Sequence, residues 1–135
     1  MTAEAIPSKA FRISVIILRT LMGLLFLFSS AYYFLNLPVP PLPPGDLKTF
    51  NDGLVAAHYL LPVSKSVELL CGLAFATGRF VPLASVLIAP ILVNILAIAL
   101  VLNHDTILIA VFLTLVNGLV AYVHRDRYAP LFRAR

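Results

Sequence analysis

Five side chains carry charge or an amide at membrane depth within long apolar runs: Arg19, Lys65, Glu68, Asn94 and Asn117. Hydrocarbon cannot solvate such groups, so each must face protein, water or a neighbouring helix. Counting about 1.5 Å of rise per residue from the helix ends expected to be cytoplasmic puts Arg19 and Asn117 roughly 10 Å deep, Glu68 roughly 15 Å and Asn94 roughly 20 Å. On that count an arginine from one helix reaches a glutamate on the next, and the two asparagines add hydrogen bonds at nearby levels. The expectation is one intramembrane polar seam built around an Arg19–Glu68 pair, with Lys65, one turn from Glu68, either a local partner or snorkelling outward. Such a seam fixes helix register in one reading. In the other it lines a proton, ion or quinone site.

His58 and His104 fall at the outer face of the expected bundle, and His124 at the inner one. Haem ligated by two histidines calls for imidazoles within the helices, and zinc for closely spaced ligands, so no metal site is expected. The single cysteine, Cys71, excludes an internal disulfide and a CxxC motif. Phosphate-binding glycine loops, nucleophile elbows and zinc signatures are absent.

The elements that position these residues follow from composition. The chain has 135 residues, 61% hydrophobic and 12% charged, with a mean hydropathy of +0.98. A soluble domain carries about twice that charge. Four apolar runs, about 13–37, 62–77, 81–102 and 106–123, are long enough, or nearly so, to cross a bilayer. The first is too long for a signal-peptide core, and Arg19 interrupts it, so it is expected to remain as a span. Residues 1–12 read as a polar tail. The proline run from Pro38 to Gly45 makes an extended connection. After it, Asp46 can cap a short amphipathic helix whose residues Leu47, Phe50, Leu54 and Leu61 share a face. Pro62 suits the first turn of the second span, and Asp105 or Thr106 can cap the last. The expected fold is all-α: a four-helix transmembrane bundle with a surface helix between spans 1 and 2, one domain over 1–135.

The net charge of +4 does not form a nucleic-acid patch. Lys9, Arg12, Arg79, Arg125, Arg127, Arg133 and Arg135 all fall on one side of such a bundle, leaving Lys48 and Lys65 at or near the other. The positive-inside rule then puts both termini in the cytoplasm.

These residues resemble the DoxX-like family of small bacterial membrane proteins. The resemblance rests on Arg19 with Gly23-Leu24-Leu25-Phe26, on Lys65-Ser66-Val67-Glu68 with Gly72, on Arg79-Phe80-Val81-Pro82-Leu83-Ala84, and on Pro90 followed by Asn94-Ile95. It implies an inner-membrane four-helix bundle. It also implies a link to redox complexes, because the family takes its name from a subunit of a quinone-reducing thiosulfate oxidoreductase. Many relatives have a histidine a few residues after the Asn-Ile pair, where this chain has Ala99. The reading is therefore an accessory or redox-linked subunit embedded in lipid, meeting a membrane or soluble redox protein. A quinone-linked oxidoreductase component and a small-molecule transporter are the alternatives. Quinone is the one cofactor in view.

Overall fold

A computed structural model describes residues 8–132 of the chain. Ser8 starts the first helix, α1 (Lys9–Phe34), its Oγ accepting from the Phe11 amide at 3.1 Å. The helix thus takes in residues 9–12, which the sequence placed in a tail, while 1–7 lie outside the described residues. It ends where Asn36 turns left-handed (φ 53°), and the proline run follows. The Tyr32 hydroxyl donates to the Pro38 carbonyl, pinning that run against α1.

The surface helix, α2 (Asp46–Ala56), is present. Gly45, not Asp46, is its cap, and Asp46 opens the first turn, where a carboxylate favours the helix dipole. Leu47, Phe50 and Leu54 are half-buried, while Lys48 and Asp52 form an ion pair at 2.8 Å. The next helix, α3 (Leu60–Thr77), takes in Leu60 and Leu61 and so reaches 18 residues, long enough to span. Gly78 closes it with φ 78°, a left-handed conformation that glycine adopts without a Cβ clash.

After Phe80 comes α4 (Val81–Val101), with Pro90 inside it. A 3₁₀ turn (His104–Thr106) leads into α5 (Ile107–Val123), and Thr106 sits at its N-cap without a side-chain capping bond. A single turn, α6 (Arg125–Tyr128), and a 3₁₀ segment (Ala129–Phe132) end the described chain. The Tyr128 hydroxyl donates to the Pro82 carbonyl at 2.9 Å, tying this end to the start of α4.

Four helical segments are long and apolar enough to cross a membrane, and they pack as a ring: α1 and α4 each lie between α3 and α5. Met22, Phe26, Phe75, Ile88, Leu92 and Val120 fill the centre. Leu108 is 86% exposed and Val93 69%, an outward apolar surface that suits lipid and would aggregate in water. In lipid, close packing holds helices together, and here two glycines supply it. A Cβ on Gly23 would lie 2.7 Å from the Ala76 amide nitrogen and 2.9 Å from the Gly72 carbonyl; one on Gly72 would lie 3.0 Å from the Gly23 carbonyl. The backbones of α1 and α3 therefore touch.

Candidate functional site

That glycine crossing sets the register of every polar group between α1 and α3. The helices are antiparallel, so a step toward the start of α1 matches a step toward the end of α3. With Gly23 opposite Gly72–Ala76, Ser29 falls beside Lys65, and Arg19 falls beside Gly78. Both pairings occur. Lys65 Nζ donates to Ser29 Oγ at 2.8 Å, and the Arg19 guanidinium lies against the α3–α4 turn, with Nη1 2.8 Å from the position of a Cβ on Gly78.

The expected Arg19–Glu68 pair therefore does not form. Depth counting assumed that the cytoplasmic ends of α1 and α3 are level, whereas about ten residues of α1, roughly 15 Å, run past the end of α3. Arg19 is carried to the end of α3, about three turns from Glu68. Its Nε is buried with no hydrogen-bond partner among the described residues.

Glu68 instead takes its counter-ion from its own helix. Lys65 Nζ stands 3.1 Å from Glu68 Oε2, with side-chain exposures of 21% and 7% respectively. Burial removes most of the water screening that makes exposed pairs weak. An ammonium has three N–H donors, and among the described residues Ser29 and Glu68 occupy two of them. Lys65 also lines an open cavity of about 700 Å³ between the end of α1, the proline run, α2 and α3, together with Tyr32, Tyr33, Asn36, Asn51 and Phe28. The third donor is available to an oxygen placed there. The neighbouring Ser30 is fully buried, and its Oγ has no partner among the described residues.

The asparagines go to two other places. Asn117 is buried between α5 and α4, where its Oδ1 accepts from Ser85 Oγ at 2.8 Å and its Nδ2 donates to the Ser85 carbonyl at 3.3 Å. This is a closed cross-helix clasp. Asn94 is exposed on the outer face of α4, with no side-chain hydrogen bond among the described residues. The single seam expected from the sequence is thus four separate features.

His58 and His104 are both exposed, in the turns before α3 and α5. Among the described residues no three His, Cys, Asp or Glu side chains converge as metal ligands. Cys71 is buried, its Sγ 3.6 Å from the Ala84 carbonyl, and serves to pack α3 on α4. Ser29 and Ser85 escaped the sequence reading. Hydroxyls are common in apolar helices, and only the register shows which ones meet a charge or an amide.

Residues 14–99 match the family model described as DoxX, a match that runs from α1 into the last turn of α4. No curated protein matches the chain, and no solved structure does.

Proposed function

Because this chain belongs to the DoxX family and is a multi-pass membrane protein, we propose that it is an accessory, redox-linked subunit of a larger complex in the bacterial inner membrane. The observation that carries this reading is Asn94. Its carboxamide stands on the outer face of α4, thirteen residues into a 21-residue span. Lipid offers it no hydrogen bond, and a neighbouring helix does. The redox link rests on the family resemblance.

The orientation in this reading puts Lys9, Arg12, Arg79, Arg125 and Arg127 at the cytoplasmic end, with α2 and the Lys65 cavity at the other. Arg133 and Arg135, counted with them in the sequence, lie outside the described residues.

A specific observation favours a second role within the same frame. The unused Lys65 donor opens onto a cavity walled by Tyr32, Tyr33 and Phe28. Aromatic walls with one cationic donor suit a flat carbonyl-bearing headgroup, and a quinone has that shape and chemistry. Glu68 then holds the ammonium in place.

The test is native mass spectrometry of tagged protein released from its own membrane in lipid nanodiscs. Wild type is expected in an assembly heavier than the 14.7 kDa chain, with a reproducible second protein, and Asn94→Leu is expected as the lone chain. Wild type found alone, in native lipid, would contradict the reading.

A further inference from the structure

We propose that the α3–α4 turn and the groove above it form a binding site for one anionic phospholipid, with Arg19 and Arg79 holding the phosphate and the groove holding an acyl chain. The groove, about 390 Å³, lies between α3 and α4 on the lipid-facing side, walled by Leu70, Leu73, Ala74, Leu83 and Leu87. Its walls are almost wholly aliphatic, and it ends at Thr77, Arg79 and Phe80. Hydrocarbon at one end and a cation at the other is the pattern of a phospholipid.

Two arginines belong to this turn, one reaching it from a helix and one lying within it. Arg19 comes from α1 and lies against Gly78; Arg79 is the next residue and is exposed. Neither has a carboxylate within 4.0 Å among the described residues. Of the described acids, Asp46, Asp52, Glu68 and Asp105 belong to the other half of the bundle, and Asp126 lies on α6. The buried Nε of Arg19 still lacks an acceptor. Two guanidinium charges at one turn, with no carboxylate in contact, favour an anion there, and phosphate is an anion that guanidinium binds well.

The backbone of the turn is unusual as well. Gly78 (φ 78°) and Phe80 (φ 57°) flank Arg79, both left-handed. That conformation is strained for phenylalanine, and it leaves the ring 75% exposed at the groove mouth, where an aromatic anchors at the lipid interface. The site lies toward the opposite end of α3 from the Lys65 cavity.

The experiment uses the full chain, delipidated in detergent, with native mass spectrometry during titration with dioleoyl phosphatidylglycerol, dioleoyl phosphatidylcholine or inorganic phosphate. Wild type is expected to bind one phosphatidylglycerol with clear preference over phosphatidylcholine. Arg79→Gln removes an exposed group and leaves the fold intact; it should weaken phosphatidylglycerol binding roughly tenfold, the loss expected for a charge-assisted bond. Arg127→Gln, at the same end but on α6, should change nothing. Ala74→Phe fills the groove and should weaken both lipids. Equal retention of the two lipids, unchanged binding by Arg79→Gln, an equal loss with Arg127→Gln, or displacement of the lipid by inorganic phosphate would each overturn the proposal.

Discussion

Replacing Lys65 with methionine keeps an unbranched side chain, one atom shorter, and removes the charge. Glu68, with its side chain 7% exposed, then has no donor among the described residues. Breaking a buried pair by deleting one partner costs about 3–5 kcal/mol. The lower end, about 3 kcal/mol, applies here because the Lys65 side chain is 21% exposed and cavity water can reach the carboxylate. Glu68→Gln is milder, about 1 kcal/mol, since the ammonium keeps Ser29 and the cavity. The double variant buries no charge at this position, so it should cost about 2 kcal/mol less than the two singles together. Reversible unfolding in mixed lipid–detergent micelles, followed by far-ultraviolet circular dichroism, gives the three values. Additivity within about 0.5 kcal/mol would refute the pairing.

Gly23→Val should part α1 from α3, because the new Cβ meets backbone atoms at 2.7 and 2.9 Å; a loss of about 3 kcal/mol or failure to fold is expected in the same assay. Asn117→Leu removes both bonds to Ser85 and should cost about 1 kcal/mol, the modest scale of such bonds in membranes, with Ser85→Ala adding little further. Ser30→Ala deletes a fully buried hydroxyl without a partner among the described residues, so the melting temperature should stay level or rise.

The spans were readable because their signal is a property of whole segments. Apolar runs and charge at their ends need no knowledge of which helix faces which. The sequence started the second span at Pro62 and put Leu61 on the surface helix; both Leu60 and Leu61 belong to α3, and their inclusion gives it its spanning length. The polar contacts were not readable, because they depend on a shift of helices along one another. Arg19 and Glu68 looked close only while the helix ends were taken as level. The glycine contact of Gly23 with Gly72 fixes the actual offset. Local pairs fared better: Lys65 sits three residues from Glu68, a spacing that brings the two together on any helix. Exposure was equally hidden. Asn94 and Asn117 look alike in sequence, yet one faces out and the other closes on Ser85.

The register of α1 against α3 decides which cation holds Glu68. The sequence has only two glutamates and three lysines, so protein labelled with ¹³C at the glutamate carboxyl and ¹⁵N at the lysine ammonium can be measured in bilayers by solid-state dipolar recoupling. The 3.1 Å contact between Lys65 Nζ and Glu68 Oε2 predicts strong dephasing of the Glu68 carboxyl, abolished in Lys65→Met. A carboxyl that dephases against ¹⁵N-labelled arginine instead, and ignores the lysine label, would contradict it.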